Sequence, residues 1–227
     1  MVDPAPPAPP ADPGRHSAAS LTVHAIDLTA EVGIDRLTVR GLARRAGLYP
    51  AAVTHHLGDL EAIQFRVADE VVARIEIPPP PLSADRWRSW LLALAESGYG
   101  VIARYPGVYT FIARTGPSSP SQVRIIDATM QVLSNAGLDD YQAALVYGTF
   151  IAHVGASADL AALFELHAEG RPERRAEFTL SLVNVAGLHP GLRIALPTFA
   201  HWDHEAAFRF GLDLLLDGIE ARITASA

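Results

Sequence analysis

Three arginines, Arg40, Arg44 and Arg45, crowd the first half of "LTVRGLARRAGLYPAAVTHHLGD", residues 37 to 59, and its last helical stretch offers chiefly Thr54, His55 and His56. Guanidinium groups suit phosphates and guanine edges, whereas a hydroxyl or an imidazole reads a base through one contact at a time. At "HWDHE", residues 201 to 205, His201 and His204 stand three apart and could present two nitrogens to one ion. No third ligand accompanies them, and Asp203 is adequately used as a helix cap, so neither a metal nor another cofactor is expected. Tyr109 and Arg114 in "RYPGVYTFIART", and Thr149 and His153 in "YQAALVYGTFIAHVGAS", are polar groups in apolar settings. Burying them is costly unless each finds a partner. They read either as core residues bonded to backbone or water, or, with Phe111 and Phe150, as the fixing groups of an apolar ligand pocket. A glycine-rich phosphate loop, H-E-x-x-H and G-x-S-x-G are all missing, and with no cysteine there is no thiolate nucleophile. The residues therefore point to binding rather than catalysis.

These groups need elements to hold them. "MVDPAPPAPPADPG" has nothing to bury, and residues 1 to 16 are expected to form a disordered arm. From residue 17 to 32, Leu21, Ala25, Leu28 and Val32 recur at helical steps until Gly33. Thr38 suits the N-cap of a helix that Gly47 ends, Pro50 suits the first turn of the next, and Asp59 can cap a longer one striped by Ile63, Val67, Val71 and Ile75. "PPPPL" at 78 to 82 breaks the chain and marks a boundary between a first domain, 17 to 77, and a body, 83 to 227. Helical patterns follow at 83 to 104, 106 to 115, 120 to 136, 139 to 163, roughly 172 to 186, 190 to 200 and 203 to 224. "HAEGRPERRAE" at 167 to 177 reads as a solvated connection. Strand-like alternation is missing, so the chain is expected to be all-α.

Composition bounds the partners. A net charge of -7 argues against coating nucleic acid, though it allows a local basic patch. No apolar run looks long enough to span a bilayer and no leader pattern opens the chain, so a cytoplasmic protein with no membrane partner is expected.

Residues 38 to 56 have the packing signature of a helix-turn-helix. Val39, Leu42, Ala46, Leu48 and Val53 fall where two crossing helices bury side chains, Ala43 is small at their closest approach, and Gly47 sits at the sharp turn. With one helix before it, a long one after it and a helical body beyond, "LTVRGLARRAGLYPAAVTHHLGDLEAI" at 37 to 63 resembles the tetracycline-repressor family of transcriptional regulators. "FRFGLDLLLDGIEARI" at 208 to 223 resembles the last helix of that family's C-terminal domain. The resemblance implies a three-helix DNA-binding domain joined to a larger ligand-binding and dimerisation domain. It implies a homodimer that leaves a palindromic operator in duplex DNA when a small-molecule inducer binds. On this reading DNA is met by Thr38, Arg40, Arg44, Arg45, Pro50, Ala51, Ala52, Thr54, His55 and His56, with Arg15 in the arm. Ligand is met by Tyr109, Phe111, Arg114, Thr149, Phe150 and His153. Two departures stand out: family members usually carry a tyrosine where this chain has Thr54 and a lysine where it has Leu60, both phosphate contacts. Phe111 stands where the tetracycline repressor has a metal-liganding histidine, so a magnesium-tetracycline complex is not the expected ligand. The alternatives are a helical small-molecule-binding protein without an operator, or a helical enzyme.

In residues 203 to 223, Phe208, Leu212, Leu215 and Ile219 make one stripe, and Phe210, Leu214 and Gly218 carry the apolar surface further round. So apolar a helix needs cover on two sides. The first stripe is the expected dimer contact, in an isologous four-helix interface with the helix at 139 to 163.

Overall fold

The structure, a computed structural model, describes residues 17–116, 119–168, 180, 181, 183, 184, 187, 189–200 and 202–226. The arm with Arg15, most of the pattern at 172 to 186, and His201 lie outside the described residues. Among the described residues the regular structure is helical throughout and holds no strand.

Four helices open the chain: α1 (Ala18–Val32), α2 (Val39–Ala46), α3 (Pro50–Leu57) and α4 (Leu60–Val72), with a 3-10 turn at Ile34–Arg36 between the first two. Their ends are set by the residues the sequence marks. The Ser17, Thr38 and Asp59 side chains accept from the N–H groups of Ser20, Gly41 and Ala62, answering donors that a helix start leaves unpaired. Gly47 closes α2 with φ at 69°, in the left-handed region that an L side chain rarely takes. Ile63, Val67 and Val71 are buried, so the stripe on α4 faces the core as its spacing predicts, and Ile75 is buried just beyond the end of the helix.

The chain then crosses its proline run without leaving the body. The indole N–H of Trp90 donates to the Pro78 carbonyl at 3.0 Å, and the Glu76 N–H donates to the Ser97 hydroxyl at 2.8 Å. Next come α5 (Trp87–Ile102), α6 (Val108–Thr115), α7 (Pro120–Asn135), α8 (Asp140–Ala168), α9 (Pro190–Ala200) and α10 (His204–Ser226). α8 is the central element, packed by α5, α6, α7 and α10, while α4 touches α5, α6 and α7. One contiguous apolar core runs from Leu21 to Ile219.

Two expectations are corrected. α8 extends five residues past the expected end at 163, and by length and composition it is long and apolar enough to cross a membrane, with a mean hydropathy of 1.3 over its richest stretch. Glu165 and His167 dilute the apolar pattern there, so spacing alone ends the helix early. Here it serves as the core helix for four neighbours. The second correction concerns α10. Phe208, Leu212 and Ile219 are buried within their own chain and Leu215 is half-buried, whereas Phe210 and Leu214 stand 68% and 59% exposed. A helix apolar on two faces has the same spacing on each, so periodicity alone does not say which one its own core takes.

Candidate functional site

The helix-turn-helix is assembled from local contacts. The Leu48 N–H donates to the Ala43 carbonyl at 2.9 Å across the Gly47 turn, and Ala43 is buried at the crossing of α2 and α3. Pro50 starts α3, where its missing N–H deprives the helix of nothing. Val53 and Leu57 point inward, leaving Ala51, Thr54, His55 and His56 exposed and Ala52 half-buried. The Thr54 hydroxyl donates back to the Pro50 and Ala51 carbonyls, and the His55 and His56 rings meet edge to face with centroids 5.4 Å apart.

The arginines divide. Arg40 and Arg44 are exposed and have no carboxylate partner among the described residues. Arg45 is exposed too but is paired within the protein. Its Nη1 donates to both oxygens of Glu31 at 2.8 Å, and Asp27 lies 3.8 Å from its Nη2. The sequence shows three equivalent cations, and the structure leaves two of them open to a phosphate. Tyr49, at the start of α3, is 85% exposed and places a large ring where a small capping residue is usual.

A cavity of about 230 Å³ lies in the body. Val72 and Ile75 close it from the end of α4, and α5, α6, α7 and α8 supply the other walls. Gly98, Ala113 and Gly155 withhold volume there, and Tyr109 lies so close over Gly155 that a Cβ at that position would sit 2.1 Å from its ring. Among the described residues, the polar side chains on its walls are Tyr109, Tyr147 and Gln122, and no lining residue is Asp, Glu, Arg or His. Burial, with Tyr109 beside it, pushes the Tyr147 phenol up to about 12, so it is a neutral donor at ordinary pH. Burial, then the Asp159 charge, pushes Tyr109 up as well.

Of the six residues expected to meet ligand, Tyr109 and Phe150 line this cavity. The other four lie elsewhere. Phe111 packs edge-on against Phe65 of α4 at 5.2 Å, and Arg114 is exposed and pairs with Asp35 at 3.2 Å. Thr149 is exposed and bonded to the Leu145 carbonyl. The His153 Nε2 lies 2.9 Å from the Phe208 carbonyl, and its ring stacks on Phe208, tying α8 to α10. Thr149 and His153 share one face of α8 with Leu145, Ala152 and Ala156. The cavity instead takes Tyr147, Phe150, Ile151, Val154 and Gly155, the opposite side of the same turns. Most of the Thr149 face is exposed, and a shallow depression joins Leu145 and Thr149 to Leu214 and Gly218 of α10.

α6 connects cavity and reading motif. The Asp159 carboxylate, 2% exposed on α8, accepts from the N–H of Gly107 at 2.6 Å, the N–H of Thr110 at 3.0 Å and the Thr110 hydroxyl at 2.7 Å. A side chain of another helix thus caps α6. Just before it, the Pro106 carbonyl accepts from the Ile34 N–H at 2.9 Å, and the Gln64 amide donates to the Ile34 carbonyl at 3.0 Å.

Residues 79–223 match the family model for the tetracyclin repressor-like C-terminal domain. The tetracycline repressor protein class A from transposon 1721 of Escherichia coli is 31% identical over 201 residues, 87% of this chain and 88% of that protein. The class C repressor of the same organism is 28% identical over 198 residues, 86% of this chain and 87% of that protein. Among solved structures, the Streptomyces coelicolor TetR family protein ActR in complex with actinorhodin superposes with a TM-score of 0.74 at 23% identity, covering 90% of this chain and 95% of that one. The chain belongs to the tetracycline-repressor family, DNA-binding, ligand-responsive transcriptional repressors that act as dimers.

Proposed function

We propose that the inducer of this repressor is an uncharged, largely apolar small molecule held in the cavity bounded by α4 to α8. The observation that carries this reading is the lining, three neutral polar side chains in an apolar wall without a charged group. An ionised ligand entering there would lose its hydration and find no counter-charge. Tyr147, Tyr109 and Gln122 fix its polar edge, and Phe150 and Ile151 pack its apolar body. Actinorhodin in the ActR complex and minocycline in the complex of a TetR variant from Acinetobacter baumannii show small molecules on similar folds. The cavity wall includes the last turn of α4, whose first turn follows directly on α3. A ligand that fits one arrangement of α4 and α6 better than the other shifts the population of reading-helix positions, and releases the operator through that difference in affinity.

On this reading residues 17–77 read DNA and residues 83–227 bind ligand and pair the subunits, in the cytoplasm where the operator lies. Ala51, Ala52, Thr54 and His55 meet base edges and thymine methyls, while Arg40 and Arg44 meet phosphates. Arg45 serves instead to fasten α2 to α1. The dimer contact moves to the outward faces of the helices first expected to form it: Phe210, Leu214 and Gly218 on α10, with Leu145, Thr149 and Ala152 on α8. Selection of bound duplexes from a random pool tests the operator. It should return a near-palindrome with half-sites about one helical turn apart, roughly 34 Å. A protein that retains no duplex even at low salt is a ligand-binding protein without an operator, and the reading fails.

A further inference from the structure

Tyr49 occupies a position where the fold has no use for it. The helices α1, α2, α4 and α7 begin with Ser17, Thr38, Asp59 and Ser119, each of which accepts a backbone N–H with its side chain. α3 begins with Tyr49, whose side chain makes no capping bond. Among the described residues its side chain has neither a hydrogen bond nor a ring partner, and it stands 85% exposed. An apolar ring held in water contributes little to stability, and a smaller residue would cap the helix better. The segment around it is the one that must meet DNA. Arg44, exposed, ends the preceding helix, and Ala51, Thr54 and His55 form the exposed side of the one that follows. α3 carries no permanently charged side chain, and the Thr54 hydroxyl is turned back onto the Pro50 and Ala51 carbonyls.

We propose that Tyr49 is a DNA-contact residue: its phenol hydroxyl donates to a backbone phosphate at the edge of the major groove while α3 faces the bases. The proposal rests on the operator reading above. Duplex DNA is the partner because the N-terminal end of a recognition helix is the part that reaches the groove. Tyrosine is among the side chains that donate to phosphate oxygens and so fix the register of such a helix. A neutral donor strengthens binding without releasing a counterion, which separates its signature from that of Arg44.

The experiment uses the full chain and the duplex returned by selection, with Tyr49→Phe, Tyr49→Ala and Arg44→Ala compared over a salt series. Tyr49→Phe should weaken binding about tenfold, to selected and random duplexes alike, as expected for a lost hydrogen bond to a charged acceptor. Its salt slope, its Tm and the sequence it selects from the pool should match the wild type, and Tyr49→Ala should lose at least as much affinity. An unchanged affinity for Tyr49→Phe overturns the proposal, and so does a changed base preference, which would make Tyr49 a base reader. A wild-type chain that holds no duplex fails the operator reading before any variant is compared, so the two failures are distinguishable.

Discussion

The reading motif and the cavity lie at the two ends of α4 and behave differently as structures. At the first end, Ala51, Thr54, His55 and His56 face water and lean little on one another. At the second, five helices share one void, and Tyr109 packs on Gly155 one turn before Asp159 caps α6. The difference teaches where each kind of substitution should register. Changes at the reading end should alter binding and leave stability untouched. Changes at the cavity end should alter stability first, because most side chains there are also core.

The largest effect is expected from Asp159→Ala. It leaves two backbone N–H groups and a hydroxyl without their acceptor in a buried place, a loss of about 3 kcal/mol and a fall in Tm of roughly 10 °C. Thermal unfolding followed by circular dichroism measures it. A Tm within a degree of the wild type would show that the carboxylate does not hold α6. The paired arginines sharpen the other side of the comparison. Arg44→Ala should flatten the logarithmic salt dependence of operator binding by about 0.9 units and leave Tm unchanged. Arg45→Ala should leave the slope alone and give up about 1 kcal/mol of stability at most, since its partners are Glu31 and Asp27 at the surface. Equal slopes for the two variants would erase the distinction between them.

A titration tests the cavity end at high pH. With its folded pKa raised to about 12, Tyr147 keeps its proton in the native state where an unfolded tyrosine loses it, at about 10. The unfolded state therefore binds fewer protons between those values, and stability falls as pH rises through that window. Phenolate absorbance should show a last step at about 12, later than that of Tyr109, and Tyr147→Phe should remove it. A late step that survives Tyr147→Phe would assign it to another residue.

Legibility in the sequence follows the same division. Ser17, Thr38, Gly47, Pro50 and Asp59 each act on backbone groups a few residues away, so their roles are written in their own neighbourhood. The role of Arg45 is not, because its partner Glu31 is fourteen positions back on another helix. The cavity is less legible still. Its walls are mostly ordinary core residues, and their packing depends on Gly155 lying under Tyr109, 46 positions earlier in the chain. On α8 the apolar and small residues extend all round, so spacing offered two faces and gave no ground for choosing the one with Tyr147, Ile151 and Val154. The stripe on α10 was misassigned for the same reason, since Phe208, Leu212 and Ile219 repeat with the same period as the exposed Phe210 and Leu214.

The account's central claim is that occupancy of this cavity releases the operator. Its most direct measurement is fluorescence anisotropy of the selected operator, read across a library of neutral, largely apolar compounds with wild type and Ile151→Trp side by side. The added ring fills the void from α8, away from the DNA-facing surface. With the Tm and operator affinity of each protein measured first without compound, a compound that releases the wild type should need at least tenfold more to release the filled variant, the loss of roughly 1.4 kcal/mol of ligand affinity or more. A compound that releases both at the same concentration would place the inducer outside the cavity and contradict the account.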